Sequence, residues 1–349
     1  MVSEFIKMPE SNVFENVSTP WLTPFYTHLQ DAYRQGRFAH GLLFTGSSGI
    51  GKYKLARQLA QYLLCSNKQH NDACFECHSC QLFSANNHLD FNLLEAEKNK
   101  SIGIDQIRLL TDKLNERPQL GNNKVVLIKG ADQLTEAAAN ALLKTLEEPQ
   151  GDSYLILLTR THHQLMPTLL SRLQQTHLHS PDDQTLIDWL YQFGFQVSDV
   201  GVLRWFQNSP LALLNHLKAL QEDASLDTRR QCVEGVFSLL YEPINLFSFA
   251  QLLAKDVEQN LLLLFHLLHD LHKLKLNGNQ LDPDAIYYFA LPQLKIWQTQ
   301  LSLKSLRLLS DEILKTRSLL TGHSALKKEL LINALLIKIK NEFKEITVC

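Results

Sequence analysis

A glycine-rich segment at residues 46–52, GSSGIGK, has the residue types and spacing of a phosphate-binding loop. It follows the apolar run 41–45 and precedes a helical pattern at 52–64, which is the context in which this motif binds phosphate. The glycines let consecutive backbone N–H groups point into one concavity, and the helix N-terminus adds positive potential. The segment therefore predicts a nucleotide site made of Gly46, Gly49, Gly51, Lys52 and Tyr53, in which Lys52 contacts the terminal phosphates.

The groups that hydrolyse a nucleotide are missing around this loop. Tyr53 stands where active enzymes of this type place a Ser or Thr whose hydroxyl binds Mg²⁺. The apolar strand predicted at 125–128 is followed by Lys129 and Gly130, where two acids would hold Mg²⁺ and polarise water. We expect Asp132, two residues further on, to point elsewhere. The site is therefore predicted to be degenerate, either as a structural relic or as a loop that binds nucleotide without hydrolysing it.

Four cysteines, Cys65, Cys74, Cys77 and Cys80, have the spacing C-x8-C-x2-C-x2-C. Cysteines two residues apart in a turn direct both sulfurs to one ion, and four thiolates close a tetrahedral shell with no position left for water. The cluster therefore predicts a structural Zn²⁺ site, with reduced free thiols as the alternative. His78 lies inside the cluster and is interpreted as a bystander, because four cysteines already complete the shell.

The overall composition excludes several classes of protein. With 349 residues, 45% hydrophobic and 20% charged, the chain is typical of a globular protein of two or three domains. A formal net charge of −2 lacks the positive excess of a general nucleic-acid binder. The apolar run 261–265 is far shorter than the roughly 20 residues of a membrane span. We expect a cytoplasmic protein with no membrane contact, whose residues 1–19 form a flexible leader.

Strand and helix patterns alternate in the first half of the chain. Apolar runs predict strands at 41–45, 91–95, 125–128 and 154–158. Thr135 is a candidate N-cap for a helix that Pro149 must end. Such alternation predicts a parallel sheet covered by helices, and beyond residue 180 the pattern is helical. The predicted fold class is thus α/β followed by all-α, with an α/β domain at 20–180, a small helical domain at 181–224 and a larger helical domain at 225–349.

The order of the motifs resembles a known family. The phosphate loop, the four-cysteine insertion, residues 140–149 (NALLKTLEEP) and Ser171-Arg172 follow one another as in bacterial clamp-loader subunits, which are AAA+ proteins related to replication factor C. Loss of the catalytic acids makes the chain similar to the delta-prime branch of that family rather than to the gamma/tau motor. The resemblance covers most of residues 20–345. It implies an AAA+ domain with a zinc module at 65–80, a small helical lid and a C-terminal collar used for oligomerisation.

The resemblance also assigns roles to individual residues. Ser171-Arg172 is similar to the Ser-Arg-Cys motif, with Leu173 in place of the cysteine, and its arginine is a finger that enters the ATP site of the next subunit. A guanidinium suits this role because it is permanently charged and multidentate. Thr159 matches the sensor 1 position. The second sensor is normally an arginine after a turn, but residues 208–211 read NSPL, so that arginine is absent.

The function implied is that of a stator subunit of the DNA polymerase III clamp loader. Its partners would be gamma/tau motor subunits and the delta subunit, with the sliding clamp and primed DNA contacted through the complex. The isolated chain would not hydrolyse ATP. Two alternatives remain open at this point. One is an autonomous nucleotide-binding AAA+ ATPase of DNA replication or repair that uses Lys52, and the other is a zinc-dependent DNA-binding module, although Lys68 is the one positive charge between the cysteines.

Overall fold

Two compact units make up the chain. The computed structural model describes residues 17–69, 72–96, 101–121, 123–149, 151–241, 246–322 and 327–343. Of the described residues, 17–182 and Ser209–Ala212 form the α/β unit, and Asp183–Asn208 and 213–343 form the helical unit. The predicted leader lies mostly outside the described residues. The division of the helical region into lid and collar is finer than these two units and stays a prediction.

A five-stranded parallel sheet forms the centre of the α/β unit. Its strands are β1 (Gly41–Thr45), β2 (Phe91–Glu95), β3 (Asn123–Lys129), β4 (Asp152–Leu158) and β5 (Gln174–His177). Their order across the sheet is β2-β3-β4-β1-β5, and every pair is parallel. All five residues of β1 are buried, as are six of the seven residues of β3, so these strands are buried on both faces. The four predicted strands are therefore confirmed.

Six α-helices lie in the described part of the α/β unit. They are α1 (Thr23–Arg34), α2 (Lys52–Leu64), α3 (His78–Ser84), α4 (Ile104–Asn115), α5 (Glu136–Glu147) and α6 (Pro167–Leu170). The predicted cap of α5 is confirmed, since the Thr135 hydroxyl accepts a hydrogen bond from the Ala138 amide at 3.2 Å. The helix ends at Glu147, two residues before Pro149. Residues 140–149 therefore form most of one helix and the turn after it.

The remaining helices form the helical unit. They are α7 (Asp183–Tyr191), α8 (Gly201–Trp205), α9 (Pro210–Glu222, whose first residues belong to the α/β unit), α10 (Thr228–Tyr241), α11 (Leu246–Lys255), α12 (Val257–Leu276), α13 (Leu291–Gln300), α14 (Leu303–Gly322) and α15 (Lys328–Glu342). Leucines from α12 and Trp297 of α13 lie in one continuous apolar core. No strand follows β5 in the described part of the chain. The predicted fold class is confirmed, and none of the described helices is long and apolar enough to span a membrane.

Close packing of α10 against α11 gives a test of the helical core. A Cβ atom placed at Gly235 would overlap the ring of Phe249, which is 3% exposed. We expect Gly235→Ala to lower the free energy of unfolding by about 1–3 kcal/mol, because overpacking outweighs the better helix propensity of alanine. Urea denaturation followed by circular dichroism measures the change. Glu234→Ala, at an exposed position of α10, is the matched control and should leave the midpoint unchanged.

Candidate functional site

The phosphate loop lies where the sequence predicts it, between the carboxyl end of β1 and the start of α2. Gly46, Gly49 and Gly51 have φ angles of +144°, +82° and +101°, a region that side chains with a Cβ rarely adopt. Each glycine is also tightly packed, since a Cβ at Gly51 would lie 2.8 Å from Leu22 Cδ1. The glycines are therefore required by the backbone of this loop, whether or not it holds a ligand.

The lysine of the loop bonds to the loop itself. Lys52 Nζ donates to the carbonyl oxygens of Gly46 at 2.8 Å and of Ser47 at 2.9 Å, and the residue is only 9% exposed. An ammonium group has three N–H donors, and at least two of them are used within the loop. The side chain that would contact nucleotide phosphates therefore closes its own loop.

Ser209 and the first residues of α9, Pro210–Ala212, pack on the same loop. The Leu211 amide donates to the Gly49 carbonyl at 3.0 Å, and Ser209 Oγ donates to Ser47 Oγ at 2.8 Å. A Cβ at Gly49 would lie 2.6 Å from the Cβ of Ala212, so the two backbones are in direct contact. This segment overlaps residues 208–211, which are compared with the second sensor. In this chain it contacts the loop through its backbone and a serine hydroxyl.

Tyr53 and Lys129, which stand at the predicted Mg²⁺-binding positions, contact each other. Lys129 Nζ, at the end of β3, lies 5.4 Å from the centre of the Tyr53 ring, which is itself buried. The same ammonium lies 2.9 Å from Glu95 Oε1. A cation over an aromatic face is an attractive contact. Tyr53, Lys129 and Glu95 therefore form a small cluster of their own.

Thr159, the predicted sensor 1, lies at the end of β4. Its hydroxyl oxygen is 3.0 Å from Asp132 Oδ1 and 3.0 Å from the Thr161 carbonyl oxygen. The residue is buried. Asp132 is thus engaged with Thr159, a contact that residue types alone do not reveal.

Arg172 lies at the opposite end of β1 from the phosphate loop. Its carbonyl oxygen is 3.4 Å from a Cβ placed at Gly41, the first residue of β1, and β5 begins two residues later. At ~3.3 Å per residue, a five-residue strand separates this point from the loop by about 13 Å. Arg172 Nη2 lies 2.5 Å from Glu147 Oε1, and Nη1 donates to the Thr168 carbonyl at 2.9 Å and to Ser171 Oγ at 3.3 Å. The guanidinium therefore lies on a different edge of the unit from its own loop.

The four cysteines meet as predicted. Their sulfur atoms all lie within 4.8 Å of one another, and the Cys65–Cys74, Cys65–Cys77 and Cys74–Cys80 pairs are 3.6, 3.9 and 4.0 Å apart. Four thiolates bound to one Zn²⁺ at about 2.3 Å would be about 3.8 Å apart at the corners of a tetrahedron. The distances therefore fit a metal ion held by four sulfurs.

Backbone amides also support this cluster. The amides of Cys74, Cys77 and Cys80 donate to the sulfurs of Cys65, Cys74 and Cys77 at 3.4, 3.3 and 3.5 Å. Such bonds stabilise thiolate over thiol, and thiolate is the form that binds a metal. Within the part of the chain that the structure describes, this is the one cluster of three or more side chains with the geometry of a metal site.

Comparison with known proteins identifies relatives of this chain. A family model described as "DNA polymerase III, delta subunit" matches residues 22–182. The chain is similar to the DNA polymerase III subunit delta' of Escherichia coli (41% identity, 56% of this chain and 59% of that protein) and of Pseudomonas aeruginosa (35% identity, 64% and 68%). It also matches the tau/gamma subunit of Haemophilus influenzae at 34% identity, over 45% of this chain and 22% of that protein.

A solved structure with similarity along most of the chain is a gamma subunit-related protein of DNA polymerase III from Thermotoga maritima. It is 20% identical, the alignment covers 90% of this chain and 99% of that one, and the TM-score is 0.43. The matches to the first three curated relatives span between 52% and 60% of their lengths.

Proposed function

Because the chain belongs to the family of DNA polymerase III delta-prime subunits, we propose that it is the stator of a clamp loader. In this role it has no ATPase activity of its own and supplies Arg172 to the ATP site of a neighbouring gamma/tau motor subunit. The assembled loader, which also contains a delta subunit, opens the sliding clamp and places it on primed DNA. The zinc module is structural in this proposal, and Cys65, Cys74, Cys77 and Cys80 are its ligands.

The position of Arg172 is the observation that carries the proposal. The residue lies at the amino end of β1, whereas its own phosphate loop follows the carboxyl end of that strand. An arginine side chain is about 7 Å long, roughly half the length of the strand at ~3.3 Å per residue. Arg172 therefore does not reach its own loop along β1, but about a third of its side chain is exposed and accessible to another molecule. A guanidinium placed in this way suits charge stabilisation in trans.

The state of the loop supports the absence of hydrolysis. Phosphoryl transfer needs a metal bridging the phosphates and a residue that orients the attacking water. Tyr53 and Lys129 replace the metal ligands and contact each other, while Lys52 is bonded to Gly46 and Ser47. The backbone of Ser209–Ala212 packs against Gly49 from outside. Nucleotide entry would require breaking several of these contacts, and no Mg²⁺ site would offset their loss.

The variant Lys52→Ala tests the rival proposal of an autonomous ATPase. We expect ATP turnover of the loader reconstituted from the organism's own subunits to change less than about twofold, because the Lys52 ammonium already donates to the carbonyl oxygens of Gly46 and Ser47. The corresponding lysine of the motor subunits is the control, and its substitution should abolish turnover. Loss of turnover with Lys52→Ala in an intact assembly, or Mg²⁺-dependent hydrolysis by the isolated chain, would favour the autonomous ATPase.

A further inference from the structure

The guanidinium of Arg172 is held from two directions by different elements. On one side, Nη1 donates to the Thr168 carbonyl and to Ser171 Oγ, both from α6 and the turn that follows it. On the other side, Nη2 contacts the carboxylate of Glu147, the last residue of α5. A planar group with partners on two of its nitrogens, from two separate elements, has a fixed plane as well as a fixed position.

These contacts leave part of the guanidinium unused. An arginine side chain has five N–H donors, and the three contacts to Thr168, Ser171 and Glu147 engage three of them. Among the described residues no acceptor lies within hydrogen-bonding distance of Nε. A phosphate oxygen from another subunit therefore finds N–H donors available without displacing Glu147. The observed contacts therefore allow Arg172 to bind a phosphate oxygen while Glu147 still holds its guanidinium.

Ion-pair attraction is a weak explanation for the contact with Glu147. The side chains of Arg172 and Glu147 are 35% and 49% exposed, and pairs so accessible to water contribute little free energy. A carboxylate beside the finger also opposes the role of the guanidinium, because it offsets the positive charge offered to a transferring phosphoryl group. The favourable contribution that remains is orientation by a hydrogen-bond acceptor.

We propose that Glu147 is a positioning residue that fixes the direction of the Arg172 guanidinium before a neighbouring subunit's nucleotide binds. Its acceptor oxygen provides this function, and its negative charge is dispensable. The inference rests on the proposed function, since it assumes that Arg172 acts on a nucleotide in trans. Holding the side chain in advance means that the transition state does not have to order a long, exposed arginine, which lowers the barrier.

Two substitutions of Glu147 separate orientation from charge. Glu147→Gln keeps an acceptor oxygen at the same place without the charge, and Glu147→Ala removes both. Glu148→Ala is the matched control, because Glu148 is the adjacent exposed carboxylate and its described contact is a backbone one. Each variant is placed in the reconstituted loader, and kcat and KM of DNA- and clamp-stimulated ATP hydrolysis are measured beside Arg172→Ala. Gel filtration checks that the assembly is intact.

The quantity to compare is the contribution of Arg172 to kcat, which is the part of kcat that is lost in Arg172→Ala. Glu147→Ala should lower that part about three- to tenfold, which corresponds to about 0.6–1.4 kcal/mol at 1.36 kcal/mol per tenfold. Glu147→Gln should leave the Arg172 contribution to kcat within about twofold of wild type or raise it, since the opposing negative charge is gone. KM should stay unchanged in both variants, because the contact acts on the transition state. Glu148→Ala should behave as wild type.

Other outcomes contradict the proposal in distinguishable ways. Equal losses with Glu147→Gln and Glu147→Ala would show that charge matters, and gains with both would show that Glu147 masks the finger. Wild-type turnover with Glu147→Ala would show that Glu147 has no role. Each of these overturns the inference and leaves the finger in place. If Arg172→Ala itself has no effect, the proposed function fails and the inference fails with it.

Discussion

Replacing Arg172 with alanine is expected to eliminate ATP turnover at the one motor site that this subunit is proposed to complete. An arginine finger contributes about 10³–10⁵ in rate, so a site without it is effectively silent on the time scale of the others. The clamp- and DNA-stimulated ATP turnover of the reconstituted loader should therefore fall by the fraction that one motor site contributes. Coupling between the sites would make the loss larger.

The folding of the subunit should not suffer from this substitution. The contact between Arg172 and Glu147 is accessible to water, and such pairs contribute about 0–1 kcal/mol. The remaining contacts of the guanidinium, with Thr168 and Ser171, are local ones at the surface. A normal melting temperature and a normal elution volume of the complex would therefore assign the lost turnover to chemistry at the neighbouring site.

The substitution Arg172→Lys separates the effect of positive charge from that of guanidinium geometry. Lysine keeps the positive charge but has neither the planar fork nor the donor directed at Glu147. We expect it to recover only a small part of the loss, because geometry as well as charge is required. Unchanged turnover with Arg172→Ala in an intact assembly would contradict the finger and leave this chain a structural member of its complex.

Local patterns account for what the sequence predicted well. Strands β1, β3 and β4 each contain a continuous apolar run, which is how buried parallel strands differ from their surroundings. The start of α5 follows from a single threonine and its end from a proline. The cysteines are close in sequence, so their spacing alone places four sulfurs together. In each case the signal lies within about twenty residues.

Strand β5 was missed because it carries no such pattern. Its sequence is Gln-Gln-Thr-His and three of its four residues are exposed, since it lies at the edge of the sheet beside β1. Hydrogen bonding to β1 defines it, and hydrophobic periodicity cannot reveal a pairing of that kind. The contact of Ser209–Ala212 with the phosphate loop could not be predicted for a related reason. Ser209 and Ser47 are 162 residues apart, and neither residue type predicts the contact.

The interactions of the predicted site residues were also beyond the sequence. Lys52 belongs to a motif that predicts phosphate binding, yet its described bonds go to its own loop. Glu147 belongs to the stretch that carries the family resemblance, but nothing in that stretch indicates a partner 25 residues further along the chain. A motif identifies residue types that recur in a family. The hydrogen bonds of those residues depend on segments that are distant in sequence and pack around them.

Loss of one cysteine ligand is expected to remove the metal and to unfold the module at residues 65–80. We expect wild-type protein to contain one zinc ion per chain and Cys80→Ala to contain almost none, since three thiolates leave the shell open. Structural zinc contributes about 10–16 kcal/mol of apparent binding free energy in small zinc domains, and much of that is folding energy. The cost to the module should therefore be several kcal/mol. Metal analysis and thermal denaturation with and without a chelator measure both effects.

The module is tied to the α/β unit through several side chains, so its loss should be felt outside the cluster. Tyr26 of α1 donates to Asp72 at 2.7 Å, and Ser79 Oγ lies 2.7 Å from both the Leu64 carbonyl oxygen and His88 Nε2. These contacts depend on the position of residues 65–80. We therefore expect faster amide hydrogen exchange in the last turn of α2 and at the start of β2 in Cys80→Ala, with the far end of the sheet unaffected.

Cys232→Ala separates a metal effect from the loss of any buried cysteine. Cys232 is buried in the core of the helical unit and lies outside the cluster. Its substitution should lower stability by about 1 kcal/mol for a small cavity while the zinc content stays at one. A wild-type chain that contains no metal and melts at the same temperature with and without chelator would favour the alternative of reduced free thiols. In that case the close approach of the four sulfurs would be maintained by the backbone amides and the contacts of Asp72 and Ser79 alone.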